Sequence, residues 1–262
     1  MKRIVAAAFL ACALPCSAQS ASDGIAEYRA MLADGNPAEL WQAKGELLWK
    51  QSRGPKKASL ERCDLGRGPG VVKGAFVELP RFFADTGRVQ DLESRLLTCM
   101  QELQGFDAVA IAKTPFGKGE MVNIESLVAY VSGESSGMRF NVSQVHREEK
   151  AMYEAGKKIF YFRGGPYDFS CASCHGQEGK RIRLQDLPDL TTNKGAGAGF
   201  GSWPAYRVSS GQLWGMQRRL NDCFRQQRFP SPEYVSDVTL ALETYLGVNA
   251  KGAESIAPAL KR

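Results

Sequence analysis

Histidine is scarce in this 262-residue chain, which holds only His146 and His175. A structural zinc site draws about four Cys or His donors, so a zinc at Cys171, Cys174 and His175 would need a further ligand, and only one other histidine is present. Long apolar runs are missing too. The one near the start, Ile4 to Leu14, is about half the ~20 residues a bilayer span needs. No later stretch is long enough, so no membrane span is expected. Strong charge is also absent: 34 basic residues face 28 acidic ones, and losing Lys2 and Arg3 with a leader would leave 32 − 28 = +4. That balance argues against bulk nucleic-acid binding and suits anionic small molecules. The glycine-rich GAGAGFG at 195–201 does not fit a dinucleotide fingerprint, because Phe200 takes the last glycine's position and no strand precedes it. It reads as a flexible loop.

What is present begins with a leader. Lys2 and Arg3, the apolar run and small residues at Ser17 and Ala18 make residues 1–18 a signal peptide, and the mature protein is expected in the periplasm. About 240 residues then remain, room for two modest cores at roughly 100–150 residues each. Of seven cysteines, Cys12 and Cys16 leave with the leader. Cys63, Cys99, Cys171, Cys174 and Cys223 remain, and in an oxidising compartment thiols tend to be paired, ligated or functional.

The mature chain repeats itself. At an offset of 111, Gly45 falls on Gly156, Trp49 on Phe160, Gly54-Pro55 on Gly165-Pro166, Ser59 on Ser170 and Cys63 on Cys174. At an offset of 124, Arg95-Leu96 through Cys99 matches Arg219-Leu220 through Cys223. Each copy ends in a helical stretch, NIESLVAYVSG to Gly133 and DVTLALETYLG to Gly247, closed by glycine. Ordered matches of this kind mark a duplication. A Gly- and Ser-rich stretch at 132–143 marks the boundary, giving domains 19–137 and 138–262. Met152, Ala155, Ile159 and Phe162 form the apolar stripe of a helix within Val145 to Phe162.

Cys171-Ala172-Ser173-Cys174-His175 is the covalent haem c attachment run, two thiols reaching two vinyl groups while the adjacent imidazole coordinates iron. In the first copy Leu60 stands where Cys171 does and Asp64 where His175 does. The expected fold is therefore mainly α, two tandem cytochrome c-like domains, the first without haem, with one covalently bound haem c in the second.

The second axial ligand remains open between Met216, the usual electron-transfer choice, and Cys223, a stronger donor that would make a low-potential haem. His146 sits on the entering helix, where a packed or solvated role is the default. Cys223 is favoured as the odd thiol of an exported protein, and its repeat partner Cys99 lies in the copy lacking haem; an inert buried thiol is the alternative. Cys63 and Cys99 could pair once that haem was lost. Arg218, Arg219, Arg225 and Arg228 surround Cys223. On a helix, Arg219 lies one turn before the thiol, positioned to hold an oxyanion.

At these residues the chain resembles SoxA, the cytochrome c family that forms the catalytic subunit of the SoxAX complex in bacterial thiosulfate oxidation. The likeness rests on the degenerate first repeat, CASCHG, GSWPAYR at 201–207 and QRRLNDCFRQQR at 217–228. It implies the single-haem type, with a Cys63–Cys99 disulfide, His175 and Cys223 as axial iron ligands, Cys223 as the active-site cysteine found as a persulfide, and Arg219 as the substrate-binding arginine. The implied reaction is L-cysteine S-thiosulfotransferase, joining thiosulfate to a cysteine of the SoxYZ carrier. The implied partners are the SoxX cytochrome subunit, in a heterodimer, and a soluble cytochrome c as electron acceptor. A plain periplasmic electron-transfer cytochrome, with Met216 on the iron, is the competing reading.

Overall fold

Several helix starts in this chain are set by polar side chains that accept the first free backbone N–H groups. A computed structural model describes residues 35–182 and 185–261; the signal peptide expected at 1–18 lies outside them. Helix α1 (Ala38–Lys50) begins where Asn36 accepts from the Ala38 N–H. The hairpin β1 (Arg81–Phe83) and β2 (Arg88–Gln90) follows. Asp91 then caps α2 (Leu92–Cys99), whose end widens over Met100–Gln104. Asp107 caps the short α3 (Ala108–Ala112), and α4 (Gly119–Gly133) closes the first half.

The second half runs in the same order. His146 and Glu149 form a capping box at the start of α5 (Arg147–Tyr161), and Ser170 caps the one-turn α6 (Cys171–His175). A two-residue hairpin, β3 (Arg181–Ile182) with β4 (Gln185–Asp186), precedes α7 (Asn193–Phe200), capped by Thr192. The hairpin β5 (Ala205–Arg207) and β6 (Gln212–Trp214) leads into α8 (Met216–Gln226), α9 (Asp237–Asn249) and the last strand, β7 (Ala259–Lys261), which pairs parallel to β5.

The repeat read from sequence is repeated in geometry. Arg81↔Gln90 in the first hairpin and Ala205↔Trp214 in the second keep one register at an offset of 124. Both hairpins follow a cis proline, Pro80 and Pro204. Lys57 and Asp168, 111 residues apart, share the left-handed conformation, at φ 48° and 47°. Helix α1 packs on α4 and α5 on α9, and both crossings are glycine contacts. A β-carbon on Gly45 would lie 2.0 Å from the Ser126 carbonyl oxygen, and one on Gly156 1.9 Å from that of Ala241. Aromatic rings close both crossings, Trp49 with Tyr130 and Phe160 with Tyr245. Asn36–Arg262 form one compact unit, and a continuous buried cluster joins the halves through Leu60, Leu96, Met100, Phe140 and Phe160.

Two local expectations are corrected. The glycine-rich 195–201 segment is not a loop: Asn193–Phe200 is helical. Its glycines serve close packing, since a β-carbon on Gly195 would meet the Asp189 carbonyl oxygen at 1.9 Å and one on Gly197 the Ala253 side chain at 2.5 Å. Helix α9 also runs through Gly247 to Asn249, because Gly247 lies tight against Val142 and Phe200 instead of turning the chain.

Candidate functional site

The Ser170 hydroxyl accepts from the Ser173 N–H at 3.2 Å while the Ser173 hydroxyl accepts from the Ser170 N–H at 3.0 Å. This reciprocal cap fixes a single turn, α6, and so presents Cys171 and Cys174, three residues apart, on one side. Next in the chain, the His175 ring nitrogen Nδ1 lies 2.9 Å from the Pro188 carbonyl oxygen. A carbonyl only accepts, so Nδ1 carries the proton and Nε2 keeps its lone pair. Burial lowers the pKa of this imidazole, the Pro188 carbonyl opposes that, and the positive charge of Arg219 lowers it further. A neutral ring with a free Nε2, oriented through Nδ1, is the form in which histidine binds iron.

Helix α8 lies close to α6. Its strongly charged sequence, MQRRLNDCFRQ, buries only Gln217 and Leu220. The Cys171 thiol is within hydrogen-bond reach of the Gln227 side chain just past α8, and burial followed by the neighbouring Cys223 pushes its pKa up to about 12. Cys223 is partly accessible, yet surrounded closely enough that burial raises its pKa; Arg219 and Arg207 pull it down while Asp222 and Cys174 raise it. Three thiols from two elements thus share one electrostatic neighbourhood, and among the described residues they are unpaired. Cys63 and Cys99 form a disulfide, with Cα atoms 5.5 Å apart.

The arginines divide. Arg219 lies on the Cys223 face, its Nη1 3.2 Å from Asp222 Oδ2 and its guanidinium 5.7 Å from the Trp203 ring centre. Arg225 is largely exposed and bonds the other oxygen of Asp222 at 2.6 Å. Arg218 points away, pairing at 2.9 Å with the buried Glu125 and stacking on Trp214. His146 is spent at the start of α5, its Nδ1 accepting from the Glu148 N–H and its ring stacked on Phe82 at 3.7 Å. Met216 lines a small void with Glu93, Phe200, Trp203 and Glu243.

Sequence reasoning passed over three of these residues. Arg207 comes from β5, 16 positions before Cys223, and only the sheet brings it there. Asp222 was hidden among the charges of α8, and Pro188 contributes a backbone oxygen that no side-chain pattern reveals.

The donor chemistry of the site fits haem c. Two partly accessible thiols, an imidazole with a free Nε2 and the nearby Cys223 sulfur are present, while Phe162, Tyr167 and Phe169 around α6 are exposed apolar rings of the kind a macrocycle covers.

A family model described as SoxA/TsdA, cytochrome c domain, matches residues 44–140. That stretch lies before the attachment run. The L-cysteine S-thiosulfotransferase subunit SoxA of Hydrogenophilus thermoluteolus is 52% identical over 273 residues, covering 100% of both chains. A protein of the same name from Hydrogenobacter thermophilus is 34% identical, covering 82% of this chain and 80% of its own. The crystal structure of SoxXA from P. pantotrophus superposes with a TM-score of 0.74 at 25% identity, over 90% of this chain and 84% of that one.

Proposed function

The chain belongs to the SoxA family, with its cytochrome c-like helical fold, and on that footing we propose that it is an L-cysteine S-thiosulfotransferase. It oxidatively joins thiosulfate to a cysteine of the SoxYZ carrier and passes the electrons to cytochrome c. The observation that carries the reading is the meeting of Cys223 and Arg219, one helical turn apart on α8, with the attachment residues of α6.

Cys171 and Cys174 would hold one haem c covalently, and His175 and Cys223 would be the residues that bind its iron. Bound there, the haem supplies one-electron redox chemistry. Arg219 receives the anionic substrate, its forked donors matching an oxyanion. Its positive charge also works against the rise that burial imposes on the Cys223 thiol pKa, in favour of the thiolate, the nucleophilic form. Bond formation between the Cys223 thiolate and the outer sulfur of thiosulfate releases two electrons, which leave singly to acceptors. The carrier thiolate then attacks that same sulfur and displaces Cys223 as thiolate, leaving an S-thiosulfonate on the carrier.

In this reading residues 19–137 are a cytochrome c-like domain without haem and 138–262 the haem domain, in a protein exported to the periplasm. The duplicated hairpin register and glycine crossings support the division, and Leu60 and Asp64 at the attachment positions support the loss of one haem. A SoxX subunit as heterodimer partner is supported by the likeness to SoxXA. Among the described residues no helix is long and apolar enough to cross a membrane.

The test is to mix the mature complex with thiosulfate, reduced carrier and oxidised cytochrome c, and weigh the carrier. Gain of one S–SO3 group per carrier, lost with C223S while haem stays attached, is expected. Cytochrome reduction without carrier modification would leave only an electron carrier.

A further inference from the structure

The duplicated half supplies an internal control for the charge around Cys223. At the constant offset of 124, Arg95 corresponds to Arg219 and Cys99 to Cys223; on the hairpin, Phe83 corresponds to Arg207 and Asp85 to Ser209. In the first half Arg95 is buried and engaged. Its Nε donates to the Asp64 carbonyl at 2.6 Å, its Nη1 pairs with Asp85 at 2.8 Å, and its guanidinium lies 4.0 Å over Phe83. Two of its three nitrogens and one face of its guanidinium are thus taken up within the protein, and the neighbouring Cys99 is closed in a disulfide.

In the second half those two restraints are absent, and Arg219 keeps instead a 3.2 Å pair with Asp222 and the Trp203 ring at 5.7 Å. The acid of the hairpin turn is replaced by Ser209, which is exposed. The ring that covered the guanidinium is replaced by a second cation, Arg207. That residue sits in the central strand of a three-stranded sheet, opposite Gln212 on one side and Lys261 on the other, so its place is fixed from both edges. Its guanidinium lies 5.3 Å from the Trp214 ring centre, and its buried Nε has no hydrogen-bond partner among the described residues. Burial and the like charge of Arg219 pull its pKa below the usual range, while Asp222 and Cys223 oppose that. Asp222, the acid bonded to Arg219, is already shared with Arg225 and Gln226. Two half-buried cations with a shared counter-charge and an unpartnered donor, beside a free thiol, are an arrangement that favours an anion.

We propose that Arg207 is a second substrate-binding residue, which closes with Arg219 on the sulfonate end of the sulfur anion, and that the Asp85-to-Ser209 difference between the halves is what leaves Arg219 free for this task. Identification of the anion as thiosulfate rests on the function proposed above; the two-cation site does not. Its chemistry calls for a small tetrahedral oxyanion with a charge of two, held by forked donors while the outer sulfur faces Cys223.

The experiment is calorimetric titration of thiosulfate, and separately of sulfite, into the mature holo complex, alongside KM and kcat for thiosulfate. R207Q and S209D should each weaken binding at least about tenfold, as loss or neutralisation of a charge-assisted contact does, and raise KM more than they lower kcat. R207K, which keeps the charge and loses the fork, should weaken binding less than R207Q does, S209N should stay within about twofold of the parent, and the haem spectrum should not move in any variant. S209D leaves Arg207 in place, so it tests the clamp even if R207Q folds poorly. Unchanged binding in both R207Q and S209D overturns the proposal. So does an S209N effect as large as that of S209D, which would make size and not charge the cause, and so does failure of the parent to bind either anion. Tight binding with no transfer to the carrier would instead sink the thiosulfotransferase reading and leave the clamp standing.

Discussion

Gly156→Ala tests the packing that holds the second half together. The glycine lies where α5 crosses α9, and its missing β-carbon would sit 1.9 Å from the Ala241 carbonyl oxygen, 2.6 Å from its carbon and 2.9 Å from the Tyr245 β-carbon. Non-bonded heavy atoms settle at about 3.5 Å or more, so the helices must part by roughly 1.5 Å. The obstructing atoms are backbone, and no rotamer change relieves them. A gap of even 0.5–1 Å forfeits a quarter to a half of each dispersion contact along the seam, which includes Phe160 and Tyr153 against Tyr245. Overpacking at about 3 kcal/mol, less about 1 kcal/mol for the better helix propensity of alanine, leaves a net loss of about 2 kcal/mol. Urea unfolding of the holoprotein, followed by far-UV circular dichroism, should show that loss. Gly45→Ala should cost a similar amount through Ser126, and Gly35→Ala, with nothing within 4 Å, should stay within about 0.5 kcal/mol. A G156A protein as stable as its parent would refute the glycine crossing as a structural constraint.

Replacing Cys63 and Cys99 together by alanine opens a loop of sequence separation 36, worth about 4 kcal/mol in the chain-entropy account; thermal unfolding should fall accordingly while haem content is unchanged. Glu93 is buried beside Asp91, its pKa pushed up to about 8 from 4.5 by burial and by that neighbour, against hydrogen bonds from Tyr234 and Gln217. The folded state therefore holds the proton more tightly than the unfolded chain, and stability present below about pH 4.5 is lost as pH rises through 8. Glu93→Gln should flatten that decline in denaturation midpoints measured between pH 5 and 9, and an identical decline in the variant would count against it. Arg218→Met leaves Glu125 buried and unpaired, its pKa already raised to about 7 by burial and held down by Arg218, at a cost of about 3 kcal/mol. R218M/E125L should recover much of that loss in the same urea assay, which a purely steric role for Arg218 would not allow.

Features carried by short-range pattern were legible in the sequence. The Cys171-to-His175 run, the repeated segments, the helix that follows His146 and the odd thiol Cys223 each depend on residues a few positions apart or on one constant offset, whereas the stripe expected through Phe162 is not the buried face: Phe162 is exposed just past the helix, which buries Glu149, Gly156 and Phe160. The facing of Arg219 and Cys223 follows from helical spacing alone. Residues 195–201 misled because glycine signals both turns and close packing, and only Asp189 and Ala253, brought in by the fold, decide which.

Partners distant in sequence were decided by tertiary structure. Helical spacing singles out Arg219 but leaves Arg218, Arg225 and Arg228 alike along the chain; Glu125, 93 residues from Arg218, removes that one by pairing with its charge. Arg207 gains its meaning from the β5 register, and Ser209 from comparison with Asp85 on the matching turn. Sequence determined which chemical groups are present and repeated, since composition and spacing are properties of the chain. Which charges remain uncompensated at the thiol was set only by folding, because compensation requires contact and contact is made in three dimensions.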